Sequence, residues 1–510
     1  MIRHLSVFIL ALALIGAPSM GQTPEALQMS KAGAVWFNSS NAAGMTVTSI
    51  APFEAIDVNY HIADGDYRSY TEGNSRNLTI NAEGSTSLWK GKVWGKFSYD
   101  NITERDTKYN TLSLTLDEDN PFFVADNVLS WWKKQKYELE MKASTPLYKD
   151  RIGFGIDASY FTESGAKQID PRGYGNEYSL VVKPAAILKF GRHYAGIVLD
   201  YEKGNMRMTP INNAYMNSRD AFILHGLGNN EASLVSLVTT GVGQVFDKKN
   251  QYGASLQYSY STDSFKVLAD IYGNMRIWDL SHTPNRPEAI GSTKRTAFGG
   301  NVQMISENES FFHKLVASGA IRNTDGIEYV QVFNKDYNVQ AYETVAENVK
   351  SKYSRIEAKV SYDMTRKSHD SYSWSVGAEA EYISRNDRYL LPVSTFKCSH
   401  LYAGLHGKKQ FFLKKMSMSL GANAGYCLGL DSEYGYQGTS ASTPIVTDYF
   451  PHELSYLSAS YLCAGLDYRI SIHVSAENTL FAGVRAKMLR TGNELMKSRN
   501  IADISVGFVF

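Results

Sequence analysis

The stretch SYSWSVGAEAEY, residues 371–382, alternates between apolar and polar side chains over its whole length. The same period of two recurs in KYELEMKA (136–143), RIEAKVSYDM (355–364) and SMSLGANAGYCLGL (417–430). Because successive side chains of a β-strand point to opposite faces, these stretches predict strands with one apolar and one polar face. In the first stretch the apolar face would carry Tyr372, Trp374, Val376, Ala378, Ala380 and Tyr382.

A closed transmembrane barrel explains this alternation better than a sheet exposed to water. The apolar faces carry aromatic residues near their ends, as the girdles of membrane barrels do, and the polar faces are rich in glycine, serine and paired charges that suit a wet lumen. After the N-terminal region no apolar run is long enough for a transmembrane helix, and a closed barrel is the other way to satisfy every backbone group in lipid. We therefore predict an all-β fold, a transmembrane antiparallel β-barrel of about 18 strands, with about 16 or 14 as alternatives. A soluble β-sandwich is less favoured.

The spacing of turns gives the strand count and the closure. The first strand is expected near residues 54–62 and the last at residues 500–510, where IADISVGFVF alternates as far as Phe510. A last strand that pairs with the first leaves no open sheet edge, and a terminal aromatic resembles the signal that the barrel-assembly machinery recognises. Short turns are expected near residues 89–91, 148–150, 190–192, 261–264, 307–310, 366–370, 408–413 and 471–476. Longer polar segments alternate with them, among them residues 162–177, 279–293 and 431–453.

The N-terminal residues predict export. Arg3 and His4 precede an apolar run over residues 5–15, and small residues follow, which is typical of a signal peptide cut after Gly21. We therefore expect a signal peptide at residues 1–21, a periplasmic or plug-like leader at residues 22–50 and an outer-membrane barrel at residues 51–510. Lys and Arg (52) balance Asp and Glu (51), so no nucleic-acid partner is expected. The expected location is the cell outer membrane, with its lipid and the barrel-assembly machinery as partners.

The leader contains AVWFNSSNAAGM, residues 34–45, whose apolar residues do not follow the strand period, and a short helix followed by a turn is expected. This stretch resembles the F-x-N-P-A-G-L segment of fatty-acid-transporter-like outer-membrane barrels, which packs inside the barrel as a small plug. The resemblance implies Trp36, Phe37, Asn38, Asn41 and Gly44 as plug residues, with an inserted Ser39-Ser40 and with Ala42 in place of proline. The whole chain resembles a family of large Bacteroidota outer-membrane barrels without an assigned activity.

A second segment that could close the pore lies within residues 205–250. The sequence LHGLGNNEASLVSLVTTGVGQVF, residues 224–246, is too apolar for a solvated loop. We expect it to fold inward as a constriction, with part of it forming an extra strand pair as the alternative. Its apolar residues are Leu224, Leu227, Leu234, Leu237, Val238 and Val242.

Cys398, His400, Cys427 and Cys463 all fall on the predicted lumen face of three successive strands. The hairpin between the first two strands would bring Cys398 almost opposite Cys427. Packing of an interior wall is the favoured interpretation, and no metal or other cofactor is assigned. A disulfide between Cys398 and Cys427 and a transition-metal or haem-iron site are the alternatives.

The charges on the lumen face have two interpretations. Arg355 is expected to pair with Glu381 across their hairpin, and Lys359 to lie diagonal to Glu379. Such pairs either hold the wall of a barrel together or line the path of a polar solute.

No sequence motif indicates catalysis, since G-x-S-x-G, Walker and H-E-x-x-H patterns are all missing from the chain. No catalytic residue is therefore assigned and no enzyme activity is expected. The expected function is a porin-like channel, or an accessory component for transport, that takes up a small solute. A structural or assembly partner that anchors surface lipoproteins or a secretion complex is one alternative, and a barrel-borne hydrolase is a less favoured one. A surface lipoprotein or an uptake receptor is the expected protein partner.

Overall fold

The structure, a computed structural model, describes residues 23–68, 70–114, 116–211, 219–235, 242–282, 287–336, 340–368, 371–475 and 478–510. In these residues, 18 antiparallel strands form one closed sheet, and three further strands form a small second sheet. The elements in chain order are α1 Pro24–Gly33, a 3₁₀ helix Ala42–Val47, β1 Phe53–Gly65, β2 Asn74–Leu88, β3 Gly91–Thr107, β4 Phe123–Ala125, β5 Ser130–Ser144, β6 Ile152–Lys167, β7 Arg172–Phe190, β8 His193–Ile211, β9 Arg219–Gly226, β10 Asn229–Val235, β11 Val245–Ser261, β12 Phe265–His282, β13 Glu288–Glu307, β14 Phe311–Phe333, β15 Tyr342–Ser368, β16 Ser371–Tyr389, β17 Ser394–Leu413, β18 Met416–Tyr436, a π-helix Ile445–Tyr449, α2 Phe450–Leu457, β19 Tyr461–His473, β20 Thr479–Thr491 and β21 Ser498–Val509. The second sheet consists of β4, β9 and β10.

The barrel closes between its first and last strands. Each barrel strand pairs with the next one along the chain, β8 pairs with β11 across the intervening hairpin, and β21 pairs with β1. Val58 lies opposite Val506, and the backbone N–H of Phe510 donates to the carbonyl of Glu54 at 2.8 Å. The predicted all-β barrel, its 18 strands and the pairing of the last strand with the first are therefore confirmed.

The outer face of the sheet is apolar, as the alternation predicts. Large aliphatic and aromatic side chains along the strands are exposed, while the serine, glycine and charged residues between them face the interior. Examples of exposed outer residues are Leu256, Ile271, Phe298, Leu405, Leu466, Val484 and Val506. In the described part of the chain, none of the helices combines the length and the apolar character needed to span a membrane.

Tyr372 departs from the predicted alternation. The pattern of residues 371–382 places it on the outer face with Trp374, but its side chain is buried. The pairing of β15 with β16 shifts by one residue between Arg366 and Lys367, which is the mark of a β-bulge. Because an extra residue in one strand reverses the faces beyond it, Tyr372 turns inward.

The short connections lie at one end of the barrel, which we call the short-turn end, and the remaining connections lie at the long-loop end. Residues 162–177 and 279–293 are mostly strand rather than loop, because β6, β7, β12 and β13 continue through them. A strand does not end where its residues become polar, because the cross-strand hydrogen bonds of the backbone continue beyond the apolar part of the wall toward the long-loop end. Residues 431–453 begin as strand β18 and continue into a long connection that contains the π-helix and reaches α2.

The apolar segment within residues 205–250 forms an extra strand pair rather than an irregular loop. Strands β9 and β10 pair with each other, and β9 also pairs with β4. Leu224, Leu227 and Val242 are fully buried, in clusters that include residues of the barrel wall such as Tyr353 and Phe396. The hairpin therefore packs inward over the lumen. The side chain of Leu234 and the whole of Leu237 and Val238 lie outside the described residues, as does the expected signal peptide at residues 1–21.

Candidate functional site: an arginine row and an acidic turn

Five neighbouring strands place arginines side by side on the inner wall. They are Arg276 on β12, Arg295 on β13, Arg322 on β14, Arg355 on β15 and Arg385 on β16, and we call them the arginine row. Arg276 is the cross-strand partner of Arg295, and Arg355 is the partner of both Arg322 and Arg385. Their side chains face the lumen and are between 12% and 25% exposed.

This register differs from that of the other charges on the wall. Lys96 lies opposite Glu140 and Lys359 lies opposite Glu381, so opposite charges stabilise those strand pairs. Like charges in directly opposite positions destabilise a sheet. The arginine row therefore needs compensating negative charge beside it.

An acidic turn at residues 117–120 supplies them. The sequence DEDN lies in the connection between β3 and β5 and is the only run of three consecutive acidic residues in the chain. The N–H of Asn120 donates to the carbonyl of Asp117 at 2.9 Å, and the N–H of Asp119 donates to the Asp117 side chain at 2.9 Å. Asp and Asn favour such turns because their side chains bond to nearby backbone groups. The turn therefore projects three carboxylates from a compact backbone.

The turn docks against the whole length of the row. Asp117 pairs with Arg276, and a carboxylate oxygen of Asp119 lies 3.4 Å from Arg295 and 3.6 Å from Arg322. Glu118 accepts a hydrogen bond of 2.6 Å from Arg355, and its backbone carbonyl accepts one of 3.2 Å from Arg385. Hydrogen bonds between guanidinium and carboxylate groups are among the strongest in proteins.

A sixth arginine approaches from the opposite side. Arg68, in the connection between β1 and β2, pairs with Glu118 and also donates to Glu453 on α2 at 2.6 Å. Burial alone would raise the pKa of Glu118, but the guanidinium groups of Arg68, Arg355 and Arg385 lower that pKa to about 2. Glu118 is therefore ionised at neutral pH and lies between Arg355 on the wall and Arg68.

The charges at this site balance only when the turn is in place. Among the described residues, six arginines are in ion-pair contact here, the five of the row and Arg68, against six carboxylates. Three of the six carboxylates belong to the turn, so its removal would leave six positive charges facing three negative ones. The three that would stay are Glu357, Asp387 and Glu453.

An aromatic cap covers the turn at the long-loop end. It is a cluster of buried residues from the π-helix, α2, the β9–β10 hairpin and the upper wall. Tyr449 contacts Tyr109 with ring centroids 5.1 Å apart and Phe450 with centroids 4.9 Å apart. The void that remains between the cap, the turn and Arg385 measures only about 30 Å³. The cap, the turn and this part of the wall therefore pack closely together.

The base of the connection that carries the turn is anchored by a buried ion pair. Asp126, just after β4, pairs with Lys167 at the end of β6, and both side chains are almost fully buried. Asp126 also accepts a hydrogen bond from the hydroxyl of Thr111. Trp132 donates to the side chain of Asn110 at 2.9 Å. These contacts fix both ends of the connection while the turn projects inward.

The leader lies inside the barrel at the short-turn end. It contacts the inner wall around the circumference: Lys31 pairs with Glu83 on β2 at 2.6 Å, and Glu25 lies 3.5 Å from Arg469 on β19. Asn41 donates to the carbonyl of Ala186 on β7 at 3.1 Å. Contacts with strands on all sides of the barrel are possible only for a segment inside the lumen.

The residues predicted for a plug form much of this contact. The ring of Trp36 packs edge-on against Tyr194 with centroids 6.3 Å apart, and that of Phe37 against Trp94 with centroids 5.9 Å apart. Asn38 closes the end of α1 by donating to the carbonyl of Lys31 at 2.8 Å. A side chain at Gly44 would collide with the Trp36 ring, because a Cβ there would lie 2.4 Å from it.

The wall is shaped to receive the leader. A Cβ at Gly155 on β6 would lie 2.2 Å from the backbone nitrogen of Ala43, so the 3₁₀ helix approaches the wall where the wall has no side chain. Lys142 donates to the leader carbonyls of Phe37 at 3.2 Å and Ser39 at 2.9 Å. Backbone carbonyls of the turn that follows α1 are thereby satisfied within the barrel.

A polar cavity of about 330 Å³ separates the leader from the arginine row. Leader residues Asn38, Ser39 and Ser40 form part of its lining, and the inner faces of β7, β8 and β11 to β13 form the rest. The wall contributes Lys183, Asp200, Asp270, Asn274, Asn301 and Gln303 to the lining. Asn274 lies two residues before Arg276 on β12, so the cavity lies between the leader and the level of the row.

The cysteine arrangement predicted from sequence is partly wrong. Cys398, Cys427 and Cys463 are buried in the wall, but Cys427 lies opposite Tyr402, and Cys398 lies opposite Ser432. The thiols are all free. A bulge between Ser399 and His400 shifts the register, and the strands extend further than the sequence suggested, so the proposed Cys398–Cys427 disulfide is not formed. In the described part of the chain no group of three or more His, Cys, Asp or Glu side chains could hold a metal ion. His400 lines a separate cavity of about 180 Å³ together with Cys427.

One of the two predicted charge pairs differs from that observed, and the other, Lys359 diagonal to Glu379, is confirmed. Arg355 lies opposite Arg385 rather than Glu381, and it binds Glu118 and Glu357 instead. Lys359 lies 3.4 Å from Glu379 and 3.5 Å from Glu381, so it pairs with both. Sequence reasoning identified one member of the row and missed the other four as well as the acidic turn. Arginine at the inward position of five consecutive strands, together with the unique acidic run, is the signal that could have found them.

No curated protein sequence matches the chain. Among solved structures, the ferric preacinetobactin receptor BauA from Acinetobacter baumannii is 8% identical, with a TM-score of 0.40 over 91% of this chain and 80% of that chain. The siderophore receptor PiuA from the same organism is 11% identical, with a TM-score of 0.41 over 91% and 82%. A FadL homologue from Pseudomonas aeruginosa is 10% identical, with a TM-score of 0.33 over 97% and 99%. These similarities are too slight to carry an argument about function.

The comparison with family models shows which family the chain is related to, although it assigns no activity. The model described as "Family of unknown function (DUF6850)" matches residues 42–510, which include the 3₁₀ helix, the acidic turn and every barrel strand. The chain belongs to this family of unknown function, DUF6850.

Proposed function

We propose that this protein is an outer-membrane barrel that takes up a small polar solute and that is closed at both ends in the state described. The observation that carries the proposal is a cavity of about 330 Å³, lined mainly by polar residues, next to the leader on one side and below the level of the acidic turn on the other. Neither the leader nor the turn is part of the wall. The leader forms one seal, and the acidic turn beneath the aromatic cap forms the other. A barrel needed only as a scaffold has no use for a polar compartment between two removable barriers.

The outer surface supports the membrane location. The barrel strands contain between 12 and 27 residues, and about 9–11 residues are enough for a tilted strand to cross a bilayer. Exposed aromatic residues mark the short-turn end, among them Trp89, Tyr148, Phe190, Phe265, Phe411, Phe412 and Phe510. Aromatic rings concentrate at the two interfaces of transmembrane barrels, and short turns face the periplasm. The leader would then seal the periplasmic side and the aromatic cap the outer side. A Bacteroidota origin and a porin-like mode of conduction are further expectations of this proposal.

Polar contacts make the leader a removable seal. A transmembrane strand cannot leave its sheet without exposing unpaired backbone groups to lipid. The leader instead holds the wall through side chains such as Lys31 and Lys142 and through two aromatic anchors. A partner on the periplasmic side could therefore draw it out without opening the barrel.

The experiment compares single-channel conductance in planar bilayers for four forms of the protein. The intact protein should be closed or nearly so. The Trp36→Ala/Phe37→Ala variant is made together with Asp117→Asn/Glu118→Gln/Asp119→Asn, so that the acidic turn does not keep the lumen closed, and it should open more often than the turn variant alone because its leader has lost both aromatic anchors. The matched control is Trp89→Ala/Tyr148→Ala in the same turn variant, which removes two aromatics from the rim and none from the seal. A large conductance in the intact protein, or equal conductance with and without the leader substitutions, would contradict the proposal.

A role as the membrane partner of a surface lipoprotein is the second candidate. It is favoured by a cleft of about 400 Å³ at the long-loop end, which carries charges of both signs, including Asp66, Lys108 and Asp448. Loss of a co-purifying lipoprotein on Lys108→Ala, with conductance unchanged, would favour this role. A hydrolase is not proposed, because the sequence has no recognisable pairing of a nucleophile with a base.

A further inference from the structure

We propose that the acidic turn is a tethered substitute for a small polyanionic solute, and that the arginine row binds such a solute when the turn withdraws. The inference rests on the proposed uptake function and names the class of solute. It starts from the register of the row. Three cross-strand contacts pair arginine with arginine. Such a row is unfavourable unless an anion is bound to it.

The wall does not supply enough carboxylates to neutralise the row. Glu357 lies 2.8 Å from Arg355 and also pairs with Arg322, and Asp387 pairs with Arg385. Arg276 and Arg295 have no carboxylate partner on the wall among the described residues. The acidic turn supplies their carboxylates, and the wall offers Arg295 only the neutral side chain of Gln251, at 3.3 Å. The Nε atoms of both arginines have no hydrogen-bond partner in the described part of the chain. The row therefore keeps donor capacity that the turn does not use.

The turn itself shows what kind of anion fits. Its three carboxylates come from consecutive residues and together reach four arginines of the row as well as Arg68. A guanidinium group presents paired donors that match the oxygens of carboxylates and phosphates. A solute with two or three such groups on a compact frame would make equivalent contacts. A neutral solute or a cation would not.

Turn and solute would exclude each other. The void beside the docked turn is about 30 Å³, which is too small for such a solute, whereas the cavity below the row measures about 330 Å³. The turn is anchored at its base by Asp126 and Lys167, and only its tip contacts the row. A movement of the tip alone would therefore free the arginines and leave the connection attached to the wall.

The test measures binding in detergent, by isothermal titration calorimetry, with citrate, inorganic pyrophosphate, trehalose and spermidine as probes. The key variant is Asp117→Asn/Glu118→Gln/Asp119→Asn, which keeps the size of each side chain and removes the charges. We expect it to bind citrate, pyrophosphate or both at least about tenfold more tightly than the unaltered protein, since one charge-assisted hydrogen bond is worth about that much. Preference for citrate would identify a carboxylate solute, and preference for pyrophosphate a phosphate. Arg295→Gln/Arg322→Gln added to that variant should abolish the gain.

Heat-modifiable migration on gels checks that each variant is folded. If the triple variant does not fold, Asp119→Asn alone, which removes the Asp119 charge from Arg295 and Arg322, should give a smaller increase for the same probes. No increase for either polyanion in a folded variant, or an equal increase for trehalose or spermidine, would overturn the inference. This outcome does not depend on conductance. A barrel that binds citrate but never conducts would instead contradict the uptake function and leave the anion site in place.

Discussion

Arg322 on β14 and Arg355 on β15 lie directly opposite each other, and the Glu357 carboxylate contacts both. One carboxylate shared between two guanidinium groups leaves a net positive charge on this part of the wall. The acidic turn completes the neutralisation, with Asp119 at Arg322 and Glu118 at Arg355. The turn thus holds together a wall that would otherwise repel itself, and under the proposed function it also blocks the lumen.

The buried ion pair at the base of the turn should be essential for its position. Lys167→Met leaves Asp126 as a buried charge without its cation, which costs about 3–5 kcal/mol. Limited proteolysis in detergent should then cleave within residues 108–129 much faster than in the unaltered protein, while the barrel remains intact. Lys133→Met is the control, because Lys133 is exposed on the neighbouring strand β5. Equal cleavage in the two variants would show that the pair does not anchor the turn.

The 3₁₀ helix of the leader packs against Gly155 on β6, and a larger side chain at that position would fill the space it occupies. Gly155→Val places a side chain where the backbone of Ala43 lies, 2.2 Å from the new Cβ, so the leader must move. In a barrel whose acidic turn is also neutralised by Asp117→Asn/Glu118→Gln/Asp119→Asn, we expect a folded protein with raised conductance. Gly95→Val introduces the same residue where the nearest atom is 3.7 Å away and should change neither property. If Gly155→Val adds no conductance to that barrel, the 3₁₀ helix is not part of the seal.

The two faces of β16 should respond differently to the same charge. Ala378→Arg places a cation on the exposed apolar face and should destabilise the folded barrel by about 2–4 kcal/mol. Glu379→Arg places it in the lumen beside Lys359 and should cost much less. The measurement is the urea concentration at which each variant unfolds in lipid vesicles. Gly377 is unsuitable for the lumen substitution, because a Cβ there would lie 2.4 Å from His406. Equal destabilisation would reject the assignment of faces.

Mild acid should not release the turn. The pKa of Glu118 falls from its ordinary value of 4.5 to about 2, and the neighbouring guanidinium groups lower the pKa of Asp117 as well. The stabilisation from Glu118 is therefore complete above about pH 4.5 and is lost only as the pH falls through about 2. Conductance of the protein without its leader should stay constant between about pH 7 and about pH 4. Opening within that interval would show that other groups hold the turn.

The barrel could be predicted from sequence because its evidence is local. Alternation along residues 371–382 and the spacing of short turns depend only on neighbours in the chain. The register of neighbouring strands is harder to predict, because a single bulge shifts every later residue pair. The bulge at Ser399 and His400 and the longer strands explain why Cys427 faces Tyr402, and the predicted Arg355–Glu381 pair was wrong for the same kind of reason.

The pairing of the turn with the row could not be predicted because its contacts join distant parts of the chain. Asp117 and Arg276 are 159 residues apart, and Glu118 and Arg355 are 237 apart. No periodicity links a turn between β3 and β5 to the inner faces of β12 to β16. The position of the leader inside the barrel was easier to predict, because the short motif with Trp36, Phe37 and Gly44 lies within a dozen residues of the sequence.

The central claim is that the acidic turn neutralises the arginine row and blocks the lumen at that level. The most direct test is the reversal potential of the leaderless barrel in planar bilayers under a potassium chloride gradient, with and without Asp117→Asn/Glu118→Gln/Asp119→Asn. With the turn neutralised, six arginines face three carboxylates, so conductance should rise and the reversal potential should shift toward that of chloride. An unchanged potential and conductance in a folded variant would contradict the account.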